Sequence, residues 1–387
     1  MHNYDLYVPT HLVFGRGRIS ELQNLVQGYG RKVLLTYGGG SVVRSGLLGE
    51  VKKILSDYEI FELSSISPNP KISSVRKGVE ICKKEQIDFL VAIGGGSVID
   101  ATKCIAAGAY YDGDPWDLVL DNSLAKKALP LFDILTLTAT GSEYDSGAVI
   151  SNDETDEKLP FVTSFTFPIA SIMDPAYTFT VPARQTAAGA ADMFNHTLEQ
   201  YIVMDGNILT DAMCEGMLKT IISFAPKALE KPDDYEARAQ LMMAASFGCS
   251  GHLAIGRTPS PWVCHAIEHE ISAYYDITHG VGLAIITPAW MRYSLNEKTA
   301  FRFAQYGVNV FGLDRNAPEM KNAKEAIRQT EAFFKSIGLP SKLSELGITD
   351  EHFDAMARHI TKHWYPLTNA IAPVDEKGVV KILRDSL

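Results

Sequence analysis

The chain has 387 residues, 46% of them hydrophobic and 21% charged, with a formal net charge of −10. That length exceeds one ordinary core and sets an expectation of two domains, and the composition is that of a globular protein. The acidic balance argues against broad contact with nucleic acid or an anionic membrane, and no run of about 18 apolar residues offers a membrane span.

The first residues, from Met1 to Tyr7, have neither a basic region nor an apolar stretch, so a cytoplasmic protein is expected. Along the chain, Lys32–Tyr37 predicts a buried strand, followed by Gly38-Gly39-Gly40-Ser41 and an amphipathic helix near 46–57. Glu59–Leu63 predicts a second strand and Ile72–Glu85 a helix. A third strand, Asp88–Ile93, runs into Gly94-Gly95-Gly96-Ser97 and a helix to about Ala107. Further strands are expected at 132–138, 147–152 and 169–173. Strands alternating with helices imply a parallel sheet covered on both faces.

Beyond Met173-Asp174-Pro175 the strand-like runs largely stop. Helical periodicities take over at 183–203, 208–224, 234–253, 262–275, 321–336 and 351–363. The expected division is therefore an α/β domain over 1–178 and an all-helical domain over 179–387. Five cysteines, Cys82, Cys104, Cys214, Cys249 and Cys264, are odd in number and form no Cys-x-x-Cys pair. They support neither a disulfide framework nor a zinc knuckle, and read as small buried hydrophobes.

Both glycine loops lack the G-x-G-x-x-G fingerprint. They nevertheless follow strands and open helices, where free backbone amides and the helix dipole favour a phosphate. In Gly94-Gly95-Gly96-Ser97-Val98-Ile99-Asp100, Ser97 is a candidate cap or phosphate ligand and Asp100 sits in the first turn. Gly38-Gly39-Gly40-Ser41 carries no acid to read a ribose 2′-hydroxyl, and Arg44 adds a cation, which favours NADP(H). Thr138-Ala139-Thr140-Gly141-Ser142-Glu143 offers hydroxyls after another strand, compatible with cofactor contacts or with an ordinary turn.

The helical half concentrates a second kind of chemistry. Asp192 and His196 are four residues apart and share a helix face. His265 and His269 repeat that spacing, and His279-Gly280 is expected to open a glycine-punctuated turn. A carboxylate with two or three imidazoles and no thiolate suits iron(II) or zinc. His359/His363 has no carboxylate–histidine companion motif and reads as solvated surface; His252 reads as lying outside the metal's ligands.

Taken together, Gly38-Gly39-Gly40-Ser41, Gly94-Gly95-Gly96-Ser97-x-x-Asp100, Thr138–Glu143, Asp192-x-x-x-His196 and the spacing of His265, His269 and His279 resemble the iron-containing (group III) alcohol dehydrogenases. Within them the likeness is to the NADPH-dependent butanol dehydrogenase and aldehyde reductase branch, over essentially the whole chain. The resemblance implies an N-terminal Rossmann-like parallel-sheet domain, a C-terminal helical domain and a metal in the cleft. It assigns the metal to Asp192, His196, His265 and His279, and places His269 near the nicotinamide and substrate. The cofactor-binding set becomes Gly38, Gly39, Gly40, Ser41, Gly94, Gly95, Gly96, Ser97, Asp100, Thr138, Thr140, Ser142, Gly147 and Lys158, with Lys158 close to the ribose. Two positions depart from the family pattern: Asp145 stands where asparagine is usual, and Pro261, before the retained Trp262, stands where an acid is common.

The expected reaction is reversible hydride transfer between NADP(H) and a primary alcohol or aldehyde such as butanol or butanal. Fe2+, or Zn2+ or another divalent ion, acts as Lewis acid and His269 relays the proton. A homodimer is expected. An NAD-linked glycerol-type dehydrogenase is weakened by the acid-free loop at 38–41. A dehydroquinate-synthase-like lyase would want cations around the metal. Between 185 and 275 the basic residues are Lys219, Lys227, Lys231, Arg238 and Arg257, and none adjoins a proposed ligand. A helical metal-dependent phosphohydrolase would require an adjacent His-Asp pair, which the chain lacks.

Overall fold

A computed structural model describes residues 1–364 and 366–387. The chain divides into two compact units, Tyr7–Thr180 and a second made of Met1–Leu6 with Val181–Leu387.

In the first unit, β1 (His11–Phe14), β2 (Lys32–Tyr37), β3 (Glu59–Leu63), β4 (Phe89–Gly94), β5 (Leu131–Leu135) and β8 (Ala170–Met173) form one sheet in the order β1-β8-β5-β4-β2-β3. Every pairing in it is parallel. β4 and β5 are buried along their whole length and β2 at all but its first residue. That is why these segments read as unbroken apolar runs rather than alternating ones. Helices α1 (Leu22–Leu25), α2 (Ser41–Arg44), α3 (Leu47–Ile54), α4 (Ile72–Glu85), α5 (Gly96–Gly108) and α6 (Pro115–Leu120) lie between the strands in sequence. The chain leaves β2 toward β3 and leaves β4 toward β5, in opposite directions across the sheet. The β2/β4 pair is therefore a topological switch point, and the two glycine loops leave its carboxyl ends.

Two strands were not expected. β1 is four residues long, and β7 (Glu157–Val162) pairs antiparallel with β6 (Gly147–Asn152) in a separate hairpin. The 147–152 strand thus exists, but outside the parallel sheet. The turn between the two includes Asp156 at φ +53°.

The second unit is helical: α7 (Ala183–Tyr201), α8 (Ile208–Glu230), α9 (Tyr235–Gly248), α10 (Val263–Tyr275), α11 (His279–Ser294), α12 (Ala300–Phe311), α13 (Glu319–Ser336), α14 (Phe353–His363) and α15 (Glu376–Asp385). One continuous apolar core runs through it, with Phe194, Leu218, Ile267, Leu283 and Phe303 fully buried. Met1–Leu6 belongs here rather than with the sheet; the His2 N–H, for example, donates to the Gly256 carbonyl at 3.1 Å. The expected turn at His279-Gly280 is instead the first turn of α11, and α12 and α15 were not anticipated. α8 continues past 224, through Pro226, to Glu230. Among the described residues, no helix is long and apolar enough to cross a membrane.

Candidate active site

Three helices of the second unit converge on one carboxylate. Asp192 and His196 lie one turn apart on α7, His265 is the third residue of α10, and His279 is the first of α11. Their Nε2 atoms stand 3.5 Å (His196), 3.8 Å (His265) and 3.6 Å (His279) from Asp192 Oδ1. These distances are too long for good hydrogen bonds. The ligand atoms of Asp192, His265 and His279 all lie within 4.8 Å of one another, a spacing that suits groups gathered around one ion rather than bonded to each other. Asp192 Oδ1 and His265 Nε2 are buried without a hydrogen-bond partner. Orphaned buried groups of this kind call for an ion or a water, and the donor set, one carboxylate oxygen and three imidazole nitrogens, fits a divalent transition metal.

The carboxylate and the imidazoles also shift one another strongly. Burial would push the Asp192 carboxyl up, but His196, His279 and His265 outweigh it and hold it well below the usual range. Burial, with His265 and His279 nearby, drives His196 down to about 3 despite Asp192. His265 is also buried, yet Glu199 and Asp192 raise it to about 9.

Packing fixes the rings. His265 Nδ1 meets Glu199 Oε2 at 2.5 Å, and His279 Nδ1 is bonded to Glu268 Oε2. His196 stacks on His265 with centroids 4.7 Å apart. Trp262 stands edge-on to both, at 6.0 and 5.2 Å. Trp262 caps α10 in the left-handed region at φ +58°, uncommon for a bulky residue and held here by its surroundings. Gly280 supports the convergence, because a Cβ there would collide with the Ala188 carbonyl of α7. His269 lies one turn beyond His265, only 4% exposed. Its ring is 5.2 Å from that of His279 and 4.9 Å from that of Trp364.

In the first unit the candidate cofactor residues separate into two groups. Some have their polar atoms engaged inside the fold. Asp100 Oδ1 accepts from the Ser142 hydroxyl at 2.6 Å, and its Oδ2 from the Val149 N–H at 2.9 Å; burial pushes its carboxyl up to about 6. Gly147 donates its N–H to Asp145 Oδ1, and its carbonyl accepts from Lys103 Nζ at 2.7 Å. Thr140 Oγ1 accepts from the Ser142 N–H. These groups pin the 138–149 loop to α5.

Gly95 and Gly96 allow the same contact: a Cβ on Gly95 would lie 2.8 Å from Leu137 Cβ, and one on Gly96 would collide with Thr140 Oγ1. Gly94, the last residue of β4, leaves room for Val98. Of the remaining candidates, the Gly38–Ser41 loop, Ser97 and Thr138 are at least partly open. Gly39 and Ser41 are exposed, and a Cβ on Gly39 would meet nothing. Gly38 lies against the Ile66 carbonyl, and Gly40, at φ +96°, caps α2 beside Arg44. Ser97 is half-buried at the start of α5, and Thr138 Oγ1 is buried without a partner. Lys158 is buried in β7 opposite Ser151.

The departure at Asp145 has a compensating partner. Lys103, fully buried, donates to Asp145 Oδ1 at 2.8 Å and balances its charge. Sequence reasoning missed Lys103, and with it Glu199 and Glu268. Glu199 was within reach, since 192, 196 and 199 fall on one helical stripe. His359 is not solvated surface: its Nδ1 is 2.7 Å from Glu270, a carboxylate only 1% exposed.

The family model for iron-containing alcohol dehydrogenases matches residues 9–175, and that for the C-terminal part of the same family matches 186–387. The chain is 47% identical to an NADH-dependent butanol dehydrogenase A of Clostridium acetobutylicum, covering 100% of both chains. It is 37% identical to the NADPH-dependent aldehyde reductase YqhD of Escherichia coli, over 94% of each. The crystal structure of NADH-dependent butanol dehydrogenase A from Thermotoga maritima is similar with a TM-score of 0.94 at 37% identity, covering 100% of this chain and 99% of that one. The chain belongs to the iron-containing alcohol dehydrogenase family and is an oxidoreductase of that family.

Proposed function

We propose that the chain catalyses reversible hydride transfer between NADP(H) and a primary alcohol or aldehyde such as butanol or butanal, with a divalent metal, Fe2+ foremost, held by Asp192, His196, His265 and His279. The observation that carries the reading is the trio of Nε2 atoms ringed at 3.5–3.8 Å around the partnerless Asp192 Oδ1. When bound, the two groups supply Lewis-acid polarisation of the substrate oxygen and a hydride donor or acceptor. The chain does the rest. Asp192 and the three imidazoles bind and orient through rings fixed by neighbouring side chains. The buried walls around them, with Asp192 3% exposed, exclude water. His269 passes a proton from a ring nitrogen to the substrate oxygen during reduction and takes it back during oxidation.

On the cofactor side, the first-turn amides of α5, Ser97 and the Thr138 hydroxyl are the groups we assign to phosphate and ribose. Asp100, Ser142 and Gly147 pin the loop that carries Thr138 against α5. The acid-free, sterically open Gly38–Ser41 loop beside Arg44 supports NADP(H). A second reading, NAD(H), is favoured by relatives described as NADH-dependent. A cytoplasmic homodimer completes the proposal, with size-exclusion chromatography coupled to light scattering as its check. The direct test follows NADPH and NADH absorbance with butanal and a panel of other aldehydes. Loss of absorbance, faster with NADPH, is expected; no loss across the panel overturns the function, and faster loss with NADH overturns the cofactor preference.

A further inference from the structure

We infer that Glu199 and Glu268 are positioning residues for the metal cluster: each holds the Nδ1 proton of one imidazole, His265 and His279 respectively, and so directs that ring's Nε2 lone pair at the site. This rests on the metal reading above. A neutral imidazole binds a metal through one nitrogen only when the other carries the proton. A carboxylate against Nδ1 settles that choice and makes the opposite nitrogen a stronger donor.

The two carboxylates are built in. Glu199 is 2% exposed and Glu268 fully buried, and buried carboxylates persist only where partners offset their lost hydration. Glu199 Oε1 accepts from the Cys264 N–H at 2.8 Å, and Oε2 from the His265 N–H at 3.3 Å. Glu199 thus joins α7 to the amino end of α10, where the helix dipole favours negative charge. Glu268 accepts from the Ser272 hydroxyl and reaches His279 on α11. Gly282 keeps that reach open: a Cβ there would lie 2.6 Å from Glu268 Cγ. His196 has no such support, because its Nδ1 is buried without a partner; ring contacts with His265 and Trp262 hold it instead. The cluster is therefore asymmetric, with two imidazoles backed by carboxylates and one backed by rings.

The test strips the full-length protein of metal and titrates Co2+, following visible absorption and competition with a chelator. Glu199→Gln and Glu268→Gln should each weaken Co2+ binding about 10- to 100-fold and alter the absorption band, with far-UV circular dichroism unchanged. Glu270→Gln is the matched control, because that buried carboxylate on the same helix bonds His359 instead; it should keep wild-type affinity. Wild-type affinity and spectrum in both cluster variants, or an equal loss in Glu270→Gln, overturns the inference. Failure of the wild type itself to take up Co2+ sinks the metal reading and the inference with it. A readout that needs no variant is the histidine-labelled, Zn2+-loaded wild type by NMR. Protected Nδ1 protons far downfield are expected from both His265 and His279 and none from His196, with the His359 proton held by Glu270 as an internal reference; absence of the His265 and His279 signals overturns the inference.

Discussion

Asp192 Oδ1 is the point on which three imidazoles converge, so single substitutions there and at His269 separate holding metal from moving protons. Asp192→Asn replaces an anionic ligand with a neutral amide and should abolish stoichiometric metal content, read by elemental analysis. His269→Ala should leave metal content intact and lower turnover by about 10²–10⁴-fold, the usual range for a lost general acid–base; metal lost with His269 would make it a ligand. Lys103→Met should leave metal content unchanged and weaken NADPH binding, because Asp145 and Gly147 lose a charged donor worth about 1.5–3 kcal/mol; fluorescence titration of NADPH measures it. At this scale the sequence showed the Asp192/His196 spacing plainly, since four residues make one helical turn. It could not show that Glu268 reaches His279, because α10 ends at Asp276 in the left-handed region (φ +46°) before α11 begins, and the direction of that break is a tertiary fact.

Helix α11 shows where element-scale reading stops working. Its residues from Gly280 to Met291 are all buried, so no polar face marks the helical period, and two glycines imitate a turn. Those glycines serve packing instead. Gly280→Ala should drive a methyl into the Ala188 carbonyl, with a loss of roughly 1–3 kcal/mol or more from overpacking, read as a lower thermal midpoint. α15, by contrast, buries Val379, Ile382 and Leu383 at helical spacing and was open to reading.

Between α8 and α12, Asp211 meets Arg302 through both carboxylate oxygens at 2.6 Å and Arg257 at 2.7 Å. Burial alone would raise the Asp211 carboxyl, but Arg302 and Arg257 outweigh it and hold it below its usual value. A depressed folded pKa stabilises the fold above the unfolded carboxylate range, near 4, and that stability is lost as pH falls through the folded value. Asp211→Asn should therefore cost about 3–5 kcal/mol near neutral pH, by leaving two buried guanidinium groups short of charge. Its stability should also fall less steeply than the wild type's below pH 4. Urea melts at pH 7 and pH 3 check both.

For the molecule as a whole, the division into a parallel-sheet half and a helical half was readable before the structure. Apolar strands ending in glycine loops mark the sheet, and long helical periodicities mark the rest. Which loop residues remain available was not readable. Asp100, Ser142 and Gly147 were cofactor-binding candidates from their motifs, and contacts within the first unit engage their polar groups. The dependence of the proposed hydride transfer on metal is the central claim. The most direct measurement is NADPH oxidation by butanal in one preparation as isolated, after removal of metal by a chelator, and after Fe2+ is returned. The account predicts activity that falls to background with metal content and is restored by Fe2+. Full turnover in protein shown to be metal-free would contradict it.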